Sequence, residues 1–488
     1  MKEVTCMLEE YKRRNKIKLG FAPTRRALST EKAFNKEEAK RQKDLIEAKI
    51  RTYGIEYVNL DFLNDEGLIF NGLDSDKVAR KFIEEKVDAV FAPHCNFGTE
   101  DAVAKIAKRV GKPLLIWGPR DDAPLEDGCR LTDSQCGLFA TSKVLARFGV
   151  NFTYITNCRL EDEVFDRGFK NFIAAASVVK SFTNMRLGQI STRPNAFWSV
   201  KCNEAELLER FGIEIVPITM PDLKKLFDSS YTDHKAELNA VVEGIKQSFP
   251  KAGFSEDYLK KLSALKLGIK RWMDDEQLSV AATQCWGPMV ETMGISPCFV
   301  LSDLTDDGIP VICEADVHGA VTAAMAQASR LGEAPVFLAD VTVRHPDNEN
   351  AELFWHCGVF PKSLAKESCG PSLATHFNRK LPAVGAWEIK GGDITISRFD
   401  GLNGEYSLLM GHGKGTAGPY TFGTYGWIEF EDWAKWEHRF IYGPYIHHCV
   451  GVHGKTAPVL YEACRYIPGL KADPVEPARE EIEKILRG

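Results

Sequence analysis

Strand-like and helix-like stretches alternate through roughly the first 330 residues, which restricts this chain to a fold built from βαβ units. Strand candidates are Lys16–Ala22, Tyr57–Phe62, Val87–Pro93, Pro113–Trp117 and Phe152–Thr156. Between them lie amphipathic stretches at Lys36–Ile50, Ser75–Glu85, Glu100–Val110 and Ser134–Phe148. Parallel strands need such crossovers, and the helices then cover both faces of the sheet. The pattern resumes with a helix at Glu161–Phe182 and strands at Met185–Ile190, Glu214–Thr219, Ser279–Cys285 and Val311–Cys313. Charged helices are expected near His234–Ser248 and Ser255–Asp274, and an apolar one at Val317–Leu331. From about residue 332 the texture turns to strands with Gly-rich turns, at Pro335–Arg344, Ala383–Ile389, Asp393–Phe399 and Ser407–Gly411. The expected fold class is α/β, with two parallel-sheet α/β domains at 1–158 and 159–331 and a β-rich α+β domain at 332–488. A chain of 488 residues is too long for one core, which agrees.

Composition narrows the function classes. A formal net charge of -6 gives no electrostatic case for nucleic acid or an anionic membrane surface. No apolar run approaches the ~20 residues that span a bilayer, and the N-terminus M-K-E-V-T-C-M-L-E-E lacks an apolar signal core. The 13 cysteines are scattered without C-x-x-C pairs, which reads as reduced and cytoplasmic. His412–Thr416 (H-G-K-G-T) resembles a fragment of a phosphate loop but lacks its first glycine and its strand-to-helix context.

Three polar positions interrupt apolar, Gly-rich surroundings: Glu314 in V-I-C-E-A-D-V-H-G-A, Asp340 in V-F-L-A-D-V-T-V, and His448 in Y-I-H-H-C-V. A charge in a strand-like run needs a partner. Two carboxylates and an imidazole form an open O,O,N set that suits Mn²⁺, or another divalent cation such as Co²⁺ or Mg²⁺, and leaves positions for substrate. Each residue also has a plainer reading. Glu314 or Asp316 is suited to stabilise a helix N-terminus, Asp340 to pair with Arg344 or Arg379, and His448 to be a satisfied core histidine.

The stretches I-C-E-A-D-V-H-G-A, V-F-L-A-D-V, Y-G-W-I-E-F and I-H-H-C-V-G-V-H-G resemble the metal-site segments of the L-fucose isomerase/L-arabinose isomerase family. G-F-A-P-T-R-R followed by E-E-A-K resembles that family's opening strand and first helix. The resemblance implies a Mn²⁺-dependent interconversion of aldose and ketose in a homo-oligomer, hexamer or tetramer, with sites near subunit interfaces. It places Glu314, Asp340 and His448 on the metal ligands, with the two acids also as the acid/base pair. His356 falls near an additional histidine ligand of the arabinose isomerases, and Gln284 near a substrate-contacting glutamine. The segment His94-Cys95-Asn96-Phe97 stands where fucose isomerases carry an aromatic, substrate-facing loop.

The sugar itself is not legible at this level. Further candidates for substrate contact are Arg25, Arg26, Asn96 and Arg120 at the ends of N-terminal strands, with Trp427 and His447 near the C-terminal motifs. An Arg-lined pocket suits an anionic 6-substituent such as a sulfonate, whereas ordinary surface charge is the plainer account of the arginines. Two other readings stand beside isomerase: a non-catalytic carbohydrate-binding or regulatory protein, and a metal-dependent epimerase or lyase sharing the enediolate.

Overall fold

The five strands expected near the N-terminus all form and pair in parallel, in the order Glu56–Val58, Lys18–Phe21, Ala89–Pro93, Leu114–Trp117, Thr153–Tyr154. The computed structural model describes residues 9–487. The central strands Ala89–Pro93 and Leu114–Trp117 are buried at every position, as a sheet covered on both faces requires. Their side chains alternate between two packing partners. Val90, Ala92, Leu114 and Ile116 share a core with Val78, Phe82 and Ile106 of the helices Ser75–Glu84 and Glu100–Val110. On the opposite face Phe91 meets Phe169 at 5.5 Å between ring centres, and Trp117 meets Phe165 at 4.6 Å, both from the helix Glu163–Phe182.

Compactness divides the chain differently from the expected boundaries. One unit comprises residues 16–180 with the C-terminal segment from Glu480, and the other runs from Ser181 to Arg479 together with the N-terminal segment to Asn15. Most of the long helix expected to open the second domain therefore belongs with the first sheet. So does the last helix, Arg479–Arg487, whose Arg487 carbonyl accepts from Thr156 N at 3.2 Å and whose Ile485 carbonyl accepts from Arg167 Nε at 3.1 Å.

The larger unit carries two sheets. The first is parallel, in the order Glu214–Ile218, Arg186–Ile190, Val280–Thr283, Val311–Ile312. The second has eight strands, and six of them close on themselves. Thr424–Glu429 pairs with Asn348–His356 on one side and with Glu405–Thr416 on the other; Val336–His345, His448–His453 and Gly392–Leu402 complete the ring. Closure removes the open edges that an antiparallel sheet would otherwise expose. The strands Asn348–His356, Thr424–Glu429 and Leu470–Pro474 had no clear sequence signal, whereas His448–His453 is the strand-like run that His448 opens. Asn348–His356 opens on N-E-N and holds Glu352 at a buried position, where Arg344 Nε pairs with it at 3.2 Å.

Between parallel sheet and barrel lies the helix Val317–Ala328, buried along its whole length. Its residues are mostly alanine, valine and glycine, so it approaches both neighbours closely without charged groups to desolvate. Among the described residues no helix is long and apolar enough to cross a membrane.

In the N-terminal unit, Lys43 Nζ lies 2.7 Å from Glu47 Oε2, with the two side chains 8% and 5% exposed. Burial alone would raise Glu47, but hydrogen bonds from Lys43, Tyr57 and Asn59 outweigh it and bring the carboxyl to about 2. A carboxyl depressed in the folded state gives stability that is complete above its ordinary value and is lost as pH falls through the depressed one. Glu47→Gln is therefore expected to lower stability by about 1–3 kcal/mol near neutrality. That deficit should shrink between pH ~4.5 and ~2 in urea unfolding, and a deficit independent of pH would contradict the assignment.

Candidate active site

Glu314 stands two residues beyond the strand Val311–Ile312, at the carboxyl edge where open parallel sheets bind ligands. Glu314 and Ala315 both take left-handed backbone angles, with φ of +67° and +52°. Such angles cost non-glycine residues about 1–3 kcal/mol each, and they persist only where the surroundings enforce them. The turn separates two acids that the sequence leaves interchangeable. Asp316 is the one that caps the helix Val317–Ala328, its Oδ1 accepting from Gly319 N at 2.9 Å. A Cβ at position 319 would stand 2.5 Å from Asp316 Oδ2, so glycine is required there.

Asp316 is fully buried and has two further partners. Arg398 donates to it through both terminal nitrogens, and His448 Nδ1 lies 2.9 Å from its Oδ2. Burial works against this carboxylate, but Arg398 and His448 outweigh it and hold it far below the ordinary range. Arg398, also fully buried, places Nε 2.9 Å from Asp400 Oδ2, and Asp400 Oδ1 in turn lies 2.8 Å from His318 Nδ1. Of these side chains, Arg398, Asp400 and His318 were not among the site candidates of the sequence reading, whereas His448 and Asp316 were named there.

The strand His448–His453 sets His448 directly opposite Asp340 in the antiparallel ladder. Because Nδ1 faces the Asp316 carboxylate, which can only accept, Nδ1 carries a proton and Nε2 is turned to the two remaining acids. Nε2 lies 3.1 Å from Glu314 Oε2 and 3.4 Å from Asp340 Oδ1. Neither approach has hydrogen-bond geometry, so His448 Nε2 and Asp340 Oδ1 are buried without a hydrogen-bond partner. Burial opposes a charge on His448, but Asp316, Glu314 and Asp340 outweigh it and lift the imidazole to about 10. Glu314 is held below its ordinary value: burial raises it, and His448 and His356 more than offset that.

The cluster therefore concentrates negative charge around one point. Asp316 and Asp400 pair with the Arg398 guanidinium, while Glu314 and Asp340 face the His448 imidazole. An open oxygen-and-imidazole set with orphaned donor atoms fits a divalent cation, and the Asp316–His448 contact is the carboxylate–histidine support that such ligands use. Among the described residues, the group whose ligand atoms all lie within 4.8 Å of one another is Asp340, His447 and His448, and Glu314 is tied to it through His448 Nε2. Arg344, one of the plainer partners expected for Asp340, pairs instead with Glu352 and Glu349.

Around this centre, Trp286 Nε1 donates to Glu314 Oε1 at 3.3 Å. His356 is buried, with Nδ1 accepting from Cys357 N at 2.8 Å and Nε2 unpartnered. Gln284 follows Val280–Thr283 and accepts from Ser191 Oγ at 2.8 Å, bridging two neighbouring strand ends. Trp427 is a core side chain of the barrel wall, packed with Leu353 and Tyr425, and its Nε1 donates to Pro419 O.

The remaining candidates lie in the N-terminal unit. Arg25 is buried and paired with Glu66, and Arg26 pairs with Glu100 at 2.9 Å. Asn96 is buried and organises its own loop, accepting from Arg26 N and donating to Phe34 O. Arg120 is exposed just beyond Leu114–Trp117.

Residues 27–183 match the family described as fucose/sulfoquinovose isomerase, N-terminal domain. The chain is 27% identical over 330 residues to the sulfoquinovose isomerase of Priestia aryabhattai, covering 67% of this chain and 72% of that one. It is 26% identical over 336 residues to the sulfoquinovose isomerase of Alkalicoccus urumqiensis, covering 69% and 74%. To that of Clostridium sp. (strain MSTE9) it is 25% identical over 290 residues, covering 58% and 62%.

Asp316→Asn should loosen the orientation of His448 and weaken the affinity of the folded protein for a divalent cation by about 10–100-fold, measured by titration calorimetry. An unchanged affinity would show that Asp316 serves only the helix and Arg398.

Proposed function

We infer that this fucose isomerase-like chain is an aldose–ketose isomerase acting on an anionic 6-substituted sugar, of which sulfoquinovose is the foremost candidate. The observation that carries the chemistry is the approach of Glu314 and Asp340 to the same imidazole nitrogen, at 3.1 and 3.4 Å. The sugar class rests on the relatives and on the chain's similarity to them.

Isomerisation removes a proton from C2, beside the carbonyl at C1, and returns one to C1. The C2 hydroxyl must lose its proton as the C1 oxygen gains one. Such a C–H is a very weak acid, and negative charge spreads over both oxygens as it breaks. Glu314, Asp340 and His448, with His447 in reach, would hold Mn²⁺, which when bound would supply a Lewis acid that lowers the cost of that charge. One carboxylate carries the carbon-bound proton from C2 to C1, and the other moves the proton between the hydroxyl oxygens. Glu314 is suited to proton transfer because Trp286 fixes its Oε1 while Oε2 stays on the His448 side. The buried surroundings keep bulk water from competing for the transferred proton.

The twelve free cysteines among the described residues, six of them deeply buried around the barrel and the parallel sheet, fit a reducing cytoplasm. A homo-oligomer, with N-terminal residues such as Arg26 or Arg120 reaching a neighbouring copy's site, fits the family resemblance.

Purified protein with Mn²⁺ should convert sulfoquinovose to its ketose in D₂O, with deuterium appearing at C1 of the ketose and C2 of the recovered aldose. Glu314→Gln and Asp340→Asn should each lower kcat by about 10²–10⁴-fold. Near wild-type rates in both variants would contradict the assignment, and deuterium at other carbons would point to an epimerase or lyase.

A further inference from the structure

Arg379 is anomalous among the arginines of the larger unit. Its side chain is half-buried, yet no carboxylate pairs with it among the described residues. Its Nη1 reaches only the Cys298 thiol, at 3.7 Å, and its Nη2 is buried without a hydrogen-bond partner. Burial holds the Cys298 thiol above its ordinary value, so it supplies no negative charge. An uncompensated, partly desolvated guanidinium is costly unless something anionic meets it.

Its surroundings show where such a group would come from. The Arg379 guanidinium lies 4.5 Å from the ring centre of Trp286, the same indole whose Nε1 donates to Glu314. One aromatic ring therefore separates this cation from a carboxylate of the reaction centre. His376 packs edge-on to that ring at 6.2 Å and is completely buried. Its Nδ1 accepts from the backbone N–H groups of Asn378 and Arg379, which places its proton on Nε2, and that nitrogen has no partner. By the same reasoning His356 presents an unpartnered Nε2–H. Arg379 and His376 thus bring donors and no acceptors to the wall beside Trp286, and His356 acts on Glu314 itself. Carboxylates cluster on the other side of Glu314.

We propose that Arg379 and His376 bind the anionic 6-substituent of the substrate, a sulfonate, while its carbonyl end lies at Glu314 and Asp340. The proposal rests on the isomerase reading above and adds the residues that select the substrate. A guanidinium with an adjacent imidazole N–H matches the three acceptor oxygens of a sulfonate, with Trp286 flanking the carbon chain between the two ends.

The test compares sulfoquinovose with its neutral counterpart, 6-deoxyglucose, in wild type, Arg379→Gln, Arg379→Lys and His376→Ala. In calorimetry, Arg379→Gln should weaken sulfoquinovose binding by about 10–100-fold. Arg379→Lys should recover part of that loss, and His376→Ala should show a smaller loss of the same kind. In turnover, Arg379→Gln should raise KM for sulfoquinovose and lower the preference for sulfoquinovose over 6-deoxyglucose by a similar factor. If Arg379 merely props Trp286, both sugars will lose kcat equally and the preference will not change, which overturns the proposal. Wild-type protein that binds sulfoquinovose without isomerising it would remove the isomerase reading but leave the anion site to be judged by the calorimetric comparison. Wild-type protein that does not bind sulfoquinovose overturns the site itself.

Discussion

Asp316 is the constraint on which the rest of the site depends. A single fully buried carboxylate caps the central helix at Gly319, pairs with Arg398 of the barrel and holds Nδ1 of His448. Parallel sheet, buried helix and barrel are thereby tied at one residue. Removing one member of such a buried charge network leaves the others uncompensated, a cost of about 3–5 kcal/mol, so the arrangement is all-or-none. Its consequence is chemical. With Nδ1 committed to Asp316, His448 has one orientation, and its other nitrogen meets Glu314 and Asp340.

The strain at Glu314 and Ala315 belongs to the same device. A regular helical entry would hand the capping role to the first acid after the strand, but the two left-handed residues delay it by two positions. Asp316 then satisfies the helix, and Glu314 is released from structural duty to face His448. Two acids of similar sequence context acquire different tasks because the backbone between them is strained.

Much of this was legible in the sequence, for identifiable reasons. The N-terminal α/β alternation was clear because Val90 and Phe91, or Ile116 and Trp117, are apolar on both faces of strands flanked by strongly amphipathic helices. Glu314, Asp340 and His448 were legible as polar groups within apolar runs. Asp316 was seen only as an alternative to Glu314, since the distinction lies in backbone angles that composition does not encode. Arg398 and Asp400 were missed although a signal existed: they continue the Ile394, Ile396 face of their strand, where apolar residues belong. Trp286, His376 and Arg379 were missed or underweighted because they lie outside regular elements, where no period marks which side chains converge. Barrel closure was hidden for a related reason, since Thr424–Glu429 is short and one of its two partners, Asn348–His356, is far away in sequence.

The central claim is that Glu314, Asp340 and His448 share one cation. Diffraction data collected at the manganese absorption edge from crystals grown with Mn²⁺ test it most directly. The account predicts one strong anomalous peak within coordination distance of all three side chains, with His448 Nδ1 still on Asp316. A peak elsewhere, or none at this cluster under saturating Mn²⁺, would contradict it.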